Sequence, residues 1–276
     1  VTAPVVSSSE SLQSSFPVRQ WRAFVTAIQF LTRLPVSSRA ADAQSLRGCP
    51  RYFPLIGGVI GLITVGLIWS MSWIWPAWLA VLMALTLELR LTGAMHEDAL
   101  ADCCDAFGGG WTRDRVLEIM KDSRLGTYGV LGLVSAVAIR AGATVQLLSS
   151  TGAGDVFRWA TVLIASAAVG RWCLVLMMWL VPPIEQRESL SRDVGQQMTL
   201  SDLAVASLWV IPVTCLWTYL LPWQSLVGFI LLAILIVWFR ALVLRKLGGI
   251  TGDCLGCIGY LGQLAVLLGS IAEWPV

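Results

Sequence analysis

Apolar residues in this chain run in long unbroken stretches, and the polar residues gather between them. The stretches fall near 55–75, 76–92, 127–149, 157–181, 203–221, 223–243 and 254–272. Each reaches or approaches the roughly 20 residues that a helix needs to cross a bilayer core. The runs are continuous rather than alternating with period two, so they predict helices and not the strands of a membrane β-barrel. A shorter segment, "WRAFVTAIQFLTRL" at 21–34, is flanked by Arg22 and Arg33 and predicts a helix lying in the interface. Pro76 and Pro222 fall in short uncharged connections and punctuate two helical hairpins. The expected fold class is therefore all-α: a polytopic helical integral membrane protein, with about six to seven transmembrane helices plus an N-terminal interfacial helix. Residues 1–20 are Ser-rich and lack an apolar core or signal-peptide pattern; they are expected to form a disordered polar tail before a single membrane domain at 21–276.

Composition supports this reading. Of 276 residues, 57% are hydrophobic and only 13% are charged, about half the charge of an ordinary soluble domain. The net charge of +2 gives no electrostatic case for nucleic acid as a partner. Placement of Lys and Arg says more. Arg22, Arg33, Arg39, Arg47 and Arg51 precede the first span, so the N-terminus is expected on the cytoplasmic side. The first connection, "SWIWPAW", is uncharged and Trp-rich, as a far-side interface should be. The loop at 93–126 carries Arg113, Arg115, Lys121 and Arg124, that at 182–202 carries Arg187 and Arg192, and Arg240, Arg245 and Lys246 precede the one at 247–253. All three polar loops then open on the cytoplasmic side, with a far-side C-terminus if every run spans.

The carboxylates concentrate in one of these loops. In "HEDALADCCDAFGGG" at 96–110, Asp98, Asp102 and Asp105 are spaced i, i+4, i+7, which places them on one helix face. Three like charges on one face call for a cation, and hard oxygen donors suit Mg²⁺ completed by substrate phosphates. The alternative is a solvated acidic face with no ligand. His96, the sole histidine, falls on another face; it is a candidate general base or a plain hydrogen bonder. Gly108, Gly109 and Gly110 should end the helix. Beyond them Lys121 and Arg124 are candidate phosphate ligands and Asp122 a further metal or catalytic candidate, although basic residues also follow from topology alone.

"LRKLGGITGD" at 244–253 offers exposed backbone N–H groups beside Lys246 and Asp253 and can cradle an anion, or serve simply as a helix-capping turn. It is not a Walker motif. Arg140 and Arg171 lie within predicted spans, where a cation must be paired, hydrated or functional; Arg171 is a candidate phosphate ligand, and pairing with Glu88 is the structural alternative. Cys103, Cys104, Cys254 and Cys257 with His96 allow a zinc site, but small buried residues are the reading adopted.

These blocks resemble the cobalamin synthase family, the adenosylcobinamide-GDP ribazoletransferases of bacterial inner membranes. The resemblance is carried by "FLTRLPV" (30–36), "RYFPLIGGVIG" (51–61), "TGAMHEDALADCCDAFGGG" (92–110), "RDRVLEIMKDSRLGTYGVLGLV" (113–134), Arg171 in mid-span and "LGGITGDCLG" (247–256). It implies a Mg²⁺-dependent phosphotransferase that joins α-ribazole, or its 5′-phosphate, to adenosylcobinamide-GDP and releases GMP. It further implies a multi-pass protein of the inner membrane, with the lipid bilayer and other cobalamin-assembly enzymes as partners. The family's acid block falls on His96, Asp98, Asp102 and Asp105, and the next block on Lys121, Asp122, Ser123 and Arg124. The chain departs from the pattern at Ala94, Ala99 and Ala106, where the family has Gly, at Glu97, which replaces an apolar residue, and at Tyr260 and Gln263, where the family tends to carry acids. "ESLS" at 188–191 replaces a glycine-containing stretch.

The expected chemistry is a metal-assisted displacement with Asp98, Asp102 and Asp105 as ligands and Lys121, Arg124, Arg171, Lys246 and Asp253 around the phosphates. Rival readings are a CDP-alcohol phosphotransferase or aromatic prenyltransferase using Asp motifs, and an anion transporter lined by Arg140 and Arg171.

Overall fold

The computed structural model describes residues 16–36, 43–151, 155–184 and 198–273. Helix α1 (Phe16–Leu31) is followed by α2 (Ala43–Gly48), a 3₁₀ turn (Cys49–Tyr52) and α3 (Phe53–Met71). Then come α4 (Ala77–Thr92), α5 (Met95–Gly109), α6 (Arg113–Ile119) and α7 (Thr127–Thr151). The chain ends with α8 (Val156–Leu180), α9 (Leu200–Leu220), α10 (Pro222–Leu247) and α11 (Gly252–Ser270). Among the described residues the only β feature is an isolated parallel bridge between Pro183 and Ile250.

Six of these helices, α3 and α7 to α11, are long and apolar enough to cross a membrane, so the chain is a multi-pass helical membrane protein. Pro76 and Pro222 mark the starts of α4 and α10 as their sequence positions predict. Phe16–Gln20 already belong to α1, because Pro17 is compatible with a first helical turn and Phe16 and Val18 continue its apolar surface. Residues 1–15 lie outside the described residues.

Helix α8 is the axis of the bundle, buried along most of its length between α3, α9 and α11. Small residues make this possible, since apolar lipid gives helices no solvophobic reason to associate and close packing must do it. A Cβ added at Gly57 of α3 would sit 2.5 Å from the Ala167 carbonyl of α8, and one at Gly61 2.9 Å from Cα of Ile164. Likewise a Cβ added at Gly170 of α8 would stand 2.6 Å from the Gly259 carbonyl of α11. Helices α9 and α10 expose Leu208, Ile211, Ile230, Ile234 and Val237, the faces that meet lipid. Trp69, Trp73, Trp75 and Trp78 are exposed around the α3–α4 turn, as an interfacial aromatic belt requires.

The largest difference from the sequence reading is at 93–126. Its first half is not a surface loop. Helices α4 and α5 pass as a membrane span only when taken together, and they meet at an angle of 89°. The break consists of Gly93 (φ 72°) and Ala94 (φ 57°), two left-handed residues in succession. Gly93 adopts this at no steric cost; for Ala94 it costs about 1–2 kcal/mol. After the turn α5 packs against α7 and α11 and buries His96, Glu97, Ala99, Leu100, Cys103 and Ala106. Its small apolar face explains the burial: a Cβ on Gly256 of α11 would stand 2.5 Å from that of Ala99.

Candidate active site

Helix α5 carries Asp98, Asp102 and Asp105 on its polar face, Asp98 exposed and the other two half-buried. Opposite them, Thr251 caps α11 by accepting the N–H of Cys254, and this places Asp253 in the first turn of that helix. Asp102 faces the carboxylates of Asp98, Asp105 and Asp253. Asp98 and Asp253 line one cavity of about 200 Å³, walled by Phe30, Met95, Leu174 and Met178. The site is thus an apolar pocket with acids from two helices along it.

The three aspartates of α5 are not equivalent. Asp105 accepts the N–H of Gly126 at 2.7 Å and of Gly129 at 2.8 Å, so its two oxygens cap the start of α7. A carboxylate so engaged caps a helix, while Asp253 of α11 stands with Asp98 at the pocket. Helix periodicity sets the face that Asp105 shares; it carries no information on where α7 begins.

Donor chemistry decides whether this cluster suits Mg²⁺. Among the described residues no group of three or more His, Cys, Asp or Glu side chains forms a ready metal cage. Mg²⁺ rarely uses one: it takes one or two carboxylates and completes its shell with water and substrate phosphates. One or two of Asp98, Asp102 and Asp253 would be donors of that kind. Cys103, Cys254 and Cys257 are buried free thiols at the α5–α11 contact. They pack there in the apolar core.

The basic candidates separate into two groups. Lys121, Ser123 and Arg124 are exposed in the connection between α6 and α7. There Arg124 grips Asp122 with Nε at 3.0 Å from both carboxylate oxygens and Nη2 at 2.6 Å. This guanidinium holds the Asp122 carboxyl down at about 2, well below its ordinary 3.8. The other basic candidates are engaged elsewhere. Lys246 donates to the Gly110 carbonyl at 2.8 Å and stands over the Trp111 ring, tying α10 to the glycine run. Arg171 is 3% exposed and donates to Gln263 Oε1 at 3.0 Å. Each thus has a protein acceptor in this structure. The "LGGITGD" segment is a capping turn: Gly248 closes α10 and Thr251 opens α11.

Below the cavity lies a buried polar layer that the acid motif does not announce. Arg140 holds Glu88 at 2.6 Å and stands 3.5 Å from Glu97. The pairing of Arg140 with Glu88 is one of the two readings its sequence position allowed. Glu97, Tyr260 and Gln263, three positions that depart from the family pattern, converge on Arg140 and Arg171. His96 lies in the same layer, 3% exposed, with no hydrogen-bond partner at either ring nitrogen. His96 is buried and does not line the cavity.

The polar loops do converge at one end of the bundle. Ile250 donates to the Pro182 carbonyl at 2.9 Å, Thr251 contacts Met120, and Lys246 reaches Gly110. Residues 185–197, with Arg187, Arg192 and the "ESLS" segment, lie outside the described residues.

Comparison with known proteins identifies the family. A family model described as cobalamin-5-phosphate synthase matches residues 23–271. An adenosylcobinamide-GDP ribazoletransferase of Leptospira interrogans is 33% identical, covering 92% of this chain and 97% of the relative. Proteins of the same name from Leptothrix cholodnii and Vibrio cholerae are 34% and 35% identical, each over 92% of this chain and over 97% and 94% of their own. No solved structure matches.

Proposed function

Since the chain belongs to the cobalamin-5-phosphate synthase family, we propose that the cavity edged by Asp98 and Asp253, with Asp102 beside them, is where its two substrates react. The enzyme is a transferase of cobalamin biosynthesis that joins ribazole to adenosylcobinamide-GDP. The ribose hydroxyl of α-ribazole, or of its 5′-phosphate, attacks the phosphorus nearest cobinamide, and GMP departs.

The observation that carries the site is the meeting of acids from α5 and α11 at one pocket. Asp102, with Asp98 and Asp253, would hold Mg²⁺. Bound there, Mg²⁺ would polarise the pyrophosphate and offset charge on the leaving GMP. The remaining work falls to the chain. With His96 sealed below, a cavity-lining carboxylate, Asp98 or Asp253, accepts the hydroxyl proton. Lys121 and Arg124 reach phosphate oxygens from the exposed α6–α7 connection, Arg124 presenting a planar fork oriented by Asp122. Phe30, Leu174 and Met178 exclude water from the apolar wall.

The site faces the cytoplasm of a bacterial inner membrane in this reading. Arg113, Arg115, Lys121, Arg124, Arg245 and Lys246 crowd the end of the bundle that holds the acids, while the α3–α4 end exposes Trp and carries Arg158, paired with Asp155. Membranes carrying the protein, given adenosylcobinamide-GDP, α-ribazole and Mg²⁺, should release GMP and a complete corrinoid. Release that persisted in Asp102→Asn would refute the site.

A further inference from the structure

One guanidinium grips both limbs of the broken α4–α5 pair. Arg140 of α7 is 5% exposed, and its Nη2 donates to the two oxygens of Glu88 on α4 at 2.6 and 2.7 Å. Its Nη1 stands 3.5 Å from Oε1 of Glu97 on α5. Glu88 precedes the Gly93–Ala94 break and Glu97 follows it, so a single side chain spans the bend from outside.

The surroundings make this grip firm. Thr64 of α3 donates to Glu88 at 2.8 Å, and the Arg140 guanidinium lies 5.7 Å from the centre of the Tyr260 ring of α11. Charges inside a membrane protein are costly unless paired, so neither glutamate gains by leaving the arginine. Among the described residues Arg140 is the one ion-pair partner of Glu97. Arg171 adds a second positive charge nearby, which leaves the layer neutral overall, with two acids and two arginines. Glu97 adjoins Asp98 directly and lies just over one turn from Asp102, so any rotation of α5 that Glu97 permits moves both acids.

We propose that Arg140 is a positioning residue: by holding Glu88 and Glu97 at once it sets the angle between α4 and α5, and with it the placement of Asp98 and Asp102 against Asp253. This rests on the reading of that acid cluster as the reaction site.

The test uses the full chain in detergent, with backbone hydrogen exchange and steady-state kinetics side by side. Glu97→Gln leaves the Arg140–Glu88 pair in place, so α3, α4 and α8 should keep their protection. Exchange across Asp98–Phe107 should rise about tenfold, because α5 has lost its charged anchor. Turnover should fall by about ten- to a hundredfold with KM for adenosylcobinamide-GDP within about twofold of wild type, since misplacement by an ångström costs that much. Glu97→Asp should recover part of both losses. Arg140→Lys keeps the charge but not the fork, and should loosen α5 while leaving one glutamate paired.

Unchanged protection and unchanged turnover in Glu97→Gln would overturn the proposal. So would lost turnover with α5 still fully protected, because Glu97 would then act on the reaction by another route. A loosened α5 with normal turnover would support the clamp and overturn the site reading, which Asp102→Asn tests separately.

Discussion

Asp105 accepts the backbone N–H of Gly129 at 2.8 Å, 24 residues further along the chain. With the matching bond from Gly126, this carboxylate joins the end of the acid helix to the start of α7. Asp105→Ala should lower stability by about 1–2 kcal/mol, the usual cost of losing a helix cap. The Mg²⁺ concentration for half-maximal activity should not change. A thermal melt and a Mg²⁺ titration on one preparation separate the two effects. A large shift in the Mg²⁺ requirement with an unchanged melt would return Asp105 to the ligand set.

Asp102 and Asp253 should behave in the opposite way. Asp102→Asn removes the carboxylate that three others surround, so the fold should tolerate it or gain slightly. Activity should drop on the order of a hundredfold or more, as for loss of a group that stabilises developing charge. Asp253→Asn should match it within about tenfold, although Asp253 comes from another helix at the far end of the sequence. Full activity in either variant would remove that residue from the site.

Ala94 is the one non-glycine residue with positive φ among the described residues. Ala94→Gly should relieve about 1–2 kcal/mol of strain, offset in part by the greater entropy of the unfolded chain. The net expectation is a small gain, under about 1 kcal/mol, with turnover preserved. A clear loss of stability would show that the Ala94 methyl packs usefully at the bend.

Much of the fold was legible in the sequence because lipid imposes a coarse rule. A run of apolar residues long enough to cross must be a helix, so α3, α7, α8, α9, α10 and α11 could be placed within a few residues. Polar residues inside the bundle obey a finer rule that sequence position alone does not reveal. The spacing of Asp98, Asp102 and Asp105 identified their shared face, but not that Gly126 and Gly129 would occupy Asp105. Arg140 announced a need for a buried acid, and Glu88 was the acid within an adjacent span. Glu97 stands out in the sequence only as an acid in place of an apolar residue, and its polar neighbours hide its burial. The available signal was the small, apolar opposite face, Ala99, Cys103 and Ala106, which is what a helix needs to close on a partner. Sequence position likewise does not reveal that Lys246 and Arg171 meet protein acceptors, Gly110 and Gln263.

Lys246 should accordingly matter to stability more than to phosphate binding. Its Nζ satisfies the Gly110 carbonyl beyond the end of α5. Lys246→Met keeps the stem and removes that bond, at a cost of about 1–2 kcal/mol. KM for adenosylcobinamide-GDP should stay within about twofold of wild type. A tenfold rise in KM with an unaltered melt would restore Lys246 as a phosphate ligand.

Asp122 and Arg124 give the final expectation, in which the sign of a shifted ionisation matters. Arg124 contacts both oxygens of Asp122, and its own backbone N–H donates to Oδ1 at 3.1 Å. The Asp122 carboxyl is held at about 2 by this contact, below its ordinary 3.8. A depressed carboxylate keeps its partner at every pH above the ordinary value and loses it only as pH falls through about 2. From pH 5 to 9 the pair is therefore constant and Asp122 contributes no limb to the pH–rate profile. If Asp122 serves to orient the Arg124 fork, Asp122→Asn should raise KM for adenosylcobinamide-GDP by about tenfold and leave kcat nearly alone. That rise should be the same at pH 5.5 and pH 8.5. A general base or metal ligand would behave differently: its loss would lower kcat and change either the acid limb or the Mg²⁺ requirement. Measuring kcat and KM at both pH values in wild type and Asp122→Asn distinguishes these roles. A fall in kcat that depends on pH would move Asp122 from orienting Arg124 to the reaction itself.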